Sequence, residues 1–213
     1  MEKKKGKFIV LDGLDGSGKG AQIELLKKFL SEKKASVLFT REPGGSPYGE
    51  EIRKIILNPI GKEADPLTQF FLFWADRHDH IKKVVSPALL KGQNVISDRF
   101  DSSTFAFQIF GGSQTKLLQP FSFFRKLSLE GVEPSLYIVL DLPPEIALER
   151  IKKDKERLKT HFDLQPLSYH SRVRAGFKKF KSMGYRVIFV NADRPPEDIH
   201  KDIKKMVSDE LGI

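Results

Sequence analysis

Five short runs of almost unbroken apolar residues recur along the chain, and that continuity limits its possible folds more than any other feature. They are FIVLD (Phe8 to Asp12), SVLFT (Ser36 to Thr40), NVISD (Asn94 to Asp98), LYIVLD (Leu136 to Asp141) and YRVIFV (Tyr185 to Val190). A strand with one face in water alternates apolar and polar residues, whereas a strand covered on both faces does not. Between the runs, apolar residues recur at steps of three and four in AQIELLKKFLSEKK, in PLTQFFLFWADRHDHIKKVVSPALL and in PEDIHKDIKKMVSDEL, the period of a helix with one buried face. Strands alternating with helices predict an α/β fold of three layers, α/β/α, around a five-stranded parallel sheet. No internal repeat, low-complexity tract or linker divides the chain, so residues 1–213 are expected to form a single domain.

Composition narrows the class further. At 213 residues, 31% charged and 39% hydrophobic, the chain can bury a substantial core without disulfides or metal staples. Cysteine is absent, which excludes thiolate nucleophiles and thiolate metal sites. No apolar run approaches the roughly 18 residues of a membrane span, and the start, MEKKKGKFIVLDG, lacks the longer apolar segment and cleavage site of a signal peptide. A cytoplasmic protein without a membrane partner is the expectation. The 37 Lys and Arg outnumber 28 Asp and Glu, for a formal net charge of +9, which favours anionic partners. Basic residues are not interleaved with aromatics as in a recognisable nucleic-acid module, so phosphorylated small molecules fit better than stable nucleic-acid binding.

A site for such a ligand lies between the first strand and the first helix. GLDGSGKGAQ, Gly13 to Gln22, follows FIVLD and precedes AQIELLKKFL, the strand, loop, helix order of a phosphate-binding loop. Gly13, Gly16 and Gly18 permit a tight turn and close approach of amides to phosphate oxygens, and the backbone as far as Gly20, Ser17 included, would cradle them at the helix N-terminus. Lys19 would reach the β and γ phosphates. The pattern G-x-x-x-x-G-K-[ST] wants a hydroxyl after the lysine to ligate Mg2+, yet Gly20 and Ala21 follow Lys19.

Asp98 closes NVISDRF on the edge where a parallel sheet gathers its ligands. A carboxylate there would hold Mg2+ directly or through water, and Arg99 beside it would bind a phosphate bidentately; a plain ion pair at a strand end accounts for the same two residues. In LFWADRH, Phe73 and Arg77 stand four residues apart on one helix face. A flat ring beside a guanidinium suits a nucleobase, although an aromatic at helical spacing is, taken alone, more often core. The span from Glu149 to Phe177 packs basic residues densely. Composition reads it as an exposed charged helix, and its position after a strand reads it as a basic lid over phosphates at about residues 150–165.

Together GLDGSGKG, TREPGGSPYGEEIR, FWADRH, SDRFDSSTFAFQ and a basic segment after DLPPEIALER, in this order and spacing over essentially the whole chain, resemble the thymidylate kinases, a branch of the P-loop nucleoside monophosphate kinases. The resemblance implies a fold of the P-loop NTPase type, ATP and dTMP as small-molecule partners, Mg2+ as cofactor and a homodimer. It implies transfer of the γ-phosphoryl group of ATP to dTMP, giving dTDP and ADP for dTTP biosynthesis. It also implies that Asp15 contacts the acceptor sugar's 3′-hydroxyl, that Arg53 and Arg99 hold the acceptor phosphate, that Phe73 stacks on thymine and that Arg77 meets its carbonyl edge. Thr104 and Gln108 would complete base recognition, and Phe107, where a tyrosine is common, would crowd the sugar 2′ position. On the donor side Lys19 would bind phosphates, Arg150 would approach the adenine, and NADRP, with Asn191 and Ala192, would border it. Lys19 and Arg99 would act on the transferred group, with Arg157 adding charge from the lid.

The chain departs from the family pattern at two places. The family's lid often carries Asp-Arg-x-Glu, and the corresponding residues here are Thr160, His161, Phe162 and Asp163, so Arg157 or Lys155 would have to supply the missing cation. Loops with glycine after the lysine usually continue with threonine, and here Ala21 follows. Mg2+ would then rest on phosphates, waters and Asp98. A kinase for another deoxynucleoside monophosphate, or a nucleotide-binding protein with little or no kinase activity, stays open as an alternative.

Overall fold

The computed structural model describes residues 5–58, 61, 63–156 and 158–213. Within them β1 (Phe8–Gly13), β2 (Val37–Arg41), β3 (Asn94–Asp98), β4 (Leu136–Asp141) and β5 (Val187–Asn191) form one parallel sheet in the order β2-β3-β1-β4-β5. The predicted parallel sheet is observed, with β2 and β5 shifted slightly toward the carboxyl end. β1 is buried throughout, and β4 is buried except at Asp141, as unbroken apolar runs require. From β1 the chain goes to one side of the sheet for β2 and β3 and to the other for β4 and β5, which opens a crevice at the carboxyl end of β1.

The helices are α1 (Lys19–Glu32), α2 (Pro47–Leu57), α3 (Pro66–His80), α4 (Ser86–Leu90), α5 (Asp101–Thr104), α6 (Leu118–Leu129), α7 (Pro144–Lys153), α8 (Leu167–Lys181) and α9 (Pro196–Leu211). Local sequence sets where α2 and α3 begin. Each has proline in its first turn behind a capping side chain: Ser46 Oγ accepts from the Gly49 amide, and Asp65 Oδ1 accepts from the Leu67 and Thr68 amides. Such caps contribute about 1 kcal/mol each.

α3 runs on through a widened turn, Ile81–Val85, into α4. Pro87 has no N–H and its ring would clash with the carbonyl four residues back, and a widened turn is one way for a helix to continue past that defect. A second widened turn, Phe105–Gly111, extends α5. No helical period marks this segment in the sequence because it is buried on nearly every side, and a helix buried all round has no polar face to reveal it. α8 packs closely against it: a Cβ on Gly176 would come within 2.9 Å of Ala106 Cα and 2.8 Å of Phe110 Cβ. The basic span resolves into the end of α7, an irregular stretch with a turn at residues 161–164, and α8.

Candidate active site

The carboxyl ends of β1, β2 and β3 border a cleft of about 510 Å³, a volume suited to small ligands. The loop after β1 contributes Asp15, Gly16, Gly18, Lys19 and Gly20. α1 has Gly18 at its N-cap, with no side-chain cap and no acidic residue in its first turn, which leaves its amides to an anion. At Gly16 φ is 77°, and a Cβ there would meet the Ala147 carbonyl oxygen at 2.5 Å. Only glycine lets the loop lie this close to α7. Lys19 Nζ donates to the carbonyls of Gly13 and Leu14 at 3.1 and 2.8 Å. Burial, reinforced by the Arg99 guanidinium, lowers its ammonium to about 8. Gly13 and Ser17 are buried under the loop.

β3 contributes Asp98, its last residue, and Arg99 follows directly after it. Arg99 adopts φ 68°, a left-handed conformation that costs a non-glycine residue roughly 1–2 kcal/mol and persists where surrounding contacts fix it. Its Nη1 donates to Asp12 Oδ1 (3.2 Å), the Gly13 carbonyl (3.0 Å) and Ser103 Oγ (2.9 Å), while Nη2 donates to Asp15 Oδ1 (3.0 Å). The same guanidinium lies 4.9 Å from the centre of the Phe107 ring. Asp98 keeps a buried carboxylate oxygen, Oδ1, with no hydrogen-bond partner.

Arg53 of α2, Phe73 of α3, and Phe107 and Gln108 of the second widened turn line the cleft as well. Arg53 Nη1 donates to the Pro43 carbonyl at 2.7 Å. Arg77 and Thr104 do not line it. Arg77 is buried, with Nε donating to Glu42 Oε2 (2.9 Å) and Nη2 to Thr104 Oγ1 (3.1 Å), and its Nη1 is buried without a partner. Glu42 Oε1 is 2.9 Å from His80 Nδ1, and His80 Nε2 is 2.6 Å from Thr40 Oγ1.

Asp76, next to Arg77, accepts from the Gly44 amide at 2.9 Å. Burial, with the Glu42 carboxylate adding to it, pushes Asp76 up to about 8. The folded protein therefore holds a proton between about pH 4 and pH 8 that the unfolded chain has released, so this group's contribution to stability falls as pH rises through that interval. Asp76→Asn keeps the acceptor for Gly44 and removes the titration. Its stability relative to the parent is expected to rise by on the order of 3 kcal/mol between pH 5 and pH 8.5, read from denaturant melts at both pH values. Parallel profiles would refute the assignment.

Arg150, in the last turn of α7, lines the cleft and donates from both terminal nitrogens to the Ala192 carbonyl at 3.3 Å. It thereby ties the cleft to the end of β5. Asn191 itself is exposed, and its Oδ1 accepts from the Asp193 amide. Arg157 lies outside the described residues. The cleft also holds Arg41, Glu42, Ser103, Thr160 and Phe162, to which sequence reasoning assigned no role. Arg41 and Glu42 belong to TREPGG, so the motif itself was the available signal. Phe162 gave none beyond its apolar character in a polar stretch.

The model of the family described as thymidylate kinase matches residues 11–203. The chain belongs to the thymidylate kinase family. A thymidylate kinase of Maridesulfovibrio salexigens is 37% identical over 211 residues, covering 96% of both chains. One of Caldicellulosiruptor saccharolyticus is 39% identical over 209 residues, covering 97% of this chain and 98% of the relative. The crystal structure of thymidylate kinase from Ehrlichia chaffeensis superposes with a TM-score of 0.76 at 28% identity, covering 96% of this chain and 99% of that one. The fold is thus α/β of the P-loop NTPase type. As a member of the thymidylate kinase family, the chain is an ATP-dependent nucleoside monophosphate kinase.

Proposed function

We propose that the cleft binds ATP and dTMP together and transfers the γ-phosphoryl group to the acceptor phosphate, giving ADP and dTDP. The observation that carries this reading is the placement of Arg99, which touches the phosphate loop through the Gly13 carbonyl and Asp15 and faces the acceptor-side ring Phe107. A single cation so placed can hold two phosphorylated ligands in line. The attacking oxygen already carries negative charge, so no strong general base is needed, and catalysis rests on positioning and charge stabilisation.

On the donor side, Lys19 and the amides from Gly13 to Gly20 hold the phosphates, while Arg150 approaches the adenine beside Asn191 and Ala192. On the acceptor side, Asp15 receives the sugar 3′-hydroxyl, Arg53 and Arg99 hold the phosphate, and Phe73, Arg77, Thr104 and Gln108 recognise the base, with Phe107 against the sugar. Residues 150–165 serve as a lid of one domain, from which Arg157 adds positive charge and water is excluded on closure.

The residues present fit Mg2+ in one mode. Asp98 offers an unpartnered buried oxygen, and among the described residues no group of three or more His, Asp or Glu is arranged to hold a metal, as suits an ion carried mainly by phosphates and water. When bound, Mg2+ neutralises charge developing on the donor phosphates.

The chain is further read as a homodimer. Phe71 of α3 is 48% exposed, and Phe123 and Leu127 of α6 are 64% and 57% exposed. The rings of Phe71 and Phe123 lie 5.7 and 5.6 Å from that of Phe124. Exposed apolar side chains grouped on α3 and α6 in this way suit a two-fold interface. No helix of the described residues is long and apolar enough to cross a membrane, and the cytoplasm is the compartment that dTTP synthesis implies.

A coupled assay of ADP release tests the reading, with ATP and either dTMP, dUMP, dCMP or dGMP as acceptor over a range of Mg2+. Turnover is expected to require Mg2+ and to prefer dTMP; binding of both nucleotides without turnover would make the chain a binder. A Cβ added at Gly20 would meet nothing within 4 Å, so Gly20→Ser places a hydroxyl where the loop lacks one. It is expected to lower the Mg2+ concentration for half-maximal rate by roughly tenfold. An unchanged Mg2+ dependence would show that metal placement does not depend on that position.

A further inference from the structure

A second buried polar network meets on Asp101, two residues after Arg99. Arg125 Nε of α6 donates to Asp101 Oδ2 at 2.6 Å, and the Tyr137 hydroxyl of β4 donates to Asp101 Oδ1 at 2.9 Å. Both carboxylate oxygens are therefore engaged. Arg125 also donates from its two terminal nitrogens to the Glu133 carboxylate, and its guanidinium lies 4.3 Å from the centre of the Tyr185 ring. Asp101, Arg125 and Tyr137 are buried. Burial, with the Asp101 carboxylate adding to it, raises the Tyr137 phenol well above its ordinary range, so the hydroxyl keeps the proton it donates. None of these residues lines the cleft.

A buried ion pair is a poor source of net stability, because apolar residues of similar volume often do as well or better. What a guanidinium supplies is a fixed geometry for the carboxylate it meets. The place of Asp101 in the chain decides what is fixed. Asp101 opens α5, and only Phe100 separates it from Arg99, so the two Cα atoms lie at most about 7.6 Å apart. Arg99 holds φ 68°, a conformation that persists only where its surroundings over-determine it. On its β1 side the Arg99 amide donates to the Leu11 carbonyl at 2.9 Å, and Ser97 Oγ donates to the Arg99 carbonyl at 2.7 Å. On its helix side the next residues are anchored in succession: Asp101 to α6 and β4, then Ser102 and Ser103 to Asp12 of β1.

We propose that Arg125 and Tyr137 are positioning residues for phosphoryl transfer: by clamping Asp101 they hold the turn that keeps the Arg99 guanidinium on the phosphate loop. The inference rests on the proposed role of Arg99 and adds the support that keeps it in place. Without the clamp, the start of α5 is held by Ser102 and Ser103 alone. The φ of Arg99 is then free to relax toward the ordinary region, which swings the guanidinium off the Gly13 carbonyl and Asp15. A misplacement of about 1 Å caused by a change far from the chemistry costs up to about a hundredfold in rate. Lys19 and the loop amides do not hang on this turn, so the donor nucleotide is held as before.

Two substitutions test the clamp, each made in the parent and in Arg99→Ala, with turnover at saturating ATP and dTMP measured well below each protein's melting temperature. Arg125→Lys keeps the charge and loses the planar fork. Tyr137→Phe removes a single donor and leaves the ion pair and the volume intact, and it decides alone where the lysine variant does not fold. Arg125→Lys is expected to lower kcat by roughly tenfold to a hundredfold and Tyr137→Phe by roughly threefold to tenfold, with the KM for ATP within about twofold of the parent. In Arg99→Ala both substitutions are expected to change kcat by less than about twofold, because a residue that acts through Arg99 has nothing left to position. Near-parent turnover in both variants would overturn the inference. So would the same fold loss with and without Arg99, which would make the network a structural one. A near-parent rate in Arg99→Ala itself would refute the role of Arg99, a result separate from failure of the clamp.

Discussion

Replacing Arg99 with alanine is expected to lower turnover by roughly 10³ while the protein stays folded. Removing one preorganised group that stabilises transition-state charge costs about 10² to 10³, and arginines on a transferring phosphoryl group contribute at least as much. The variant leaves Asp12 buried, but that carboxylate keeps Ser102 Oγ at 2.6 Å, Ser103 Oγ at 2.8 Å and the Gly13 amide at 2.8 Å. Burial already raises its pKa, so Asp12 can take up a proton and avoid standing as an uncompensated charge. Arg99→Gly makes the informative companion, because glycine adopts the φ of 68° seen here without penalty. Both variants are expected to be inactive, and the glycine variant is expected to melt higher than the alanine variant. Steady-state rates and melting curves on the pair check this, and a near-normal rate in either would remove Arg99 from the reacting phosphates.

Arg77→Ala is expected to cost stability first and recognition second. The guanidinium is only 1% exposed, is paired with Glu42 and bonded to Thr104, and lies 4.6 and 5.2 Å from the ring centres of Trp74 and Phe100. Deleting one member of a buried pair costs about 3–5 kcal/mol because the other charge is left behind. At roughly 2–4 °C per kcal/mol for a chain of this size, the melting temperature is expected to fall by about 10 °C. The unpartnered Nη1 predicts a loss of dTMP affinity as well, and melting without ligand separates the two effects. A variant that melts with the parent yet binds dTMP poorly would make Arg77 a recognition residue alone.

The two helical stretches around the site differ in how far the sequence revealed them. α3 was legible because one of its faces meets solvent, so its apolar residues repeat. The helix from Asp101 to Gly111 was hidden by its own burial, since neither polar face nor cap breaks the run FAFQIFGG. Phe73 and Arg77 share a helix face, but only Phe73 lines the cleft, because Arg77 turns to a carboxylate that β2 delivers from another part of the chain. That partnership depends on the sheet order, which no local pattern encodes. Phe162 was illegible for a similar reason: its neighbours Phe73 and Phe107 belong to segments far from it in sequence, and only the folded topology brings the three rings together.

The place of β1 in the middle of the sheet also has a consequence for biosynthesis. The phosphate loop and Lys19 are made early, yet the strand that carries them needs β3 on one edge and β4 on the other. Until Leu136 and the residues after it leave the ribosome, one edge of the strand that is buried throughout has no partner, and an open edge of that kind invites pairing with other chains. The nascent protein therefore carries its nucleotide loop through most of translation before the sheet beneath that loop is closed. Shielding of that edge during synthesis is thus a requirement separate from the stability of the finished fold.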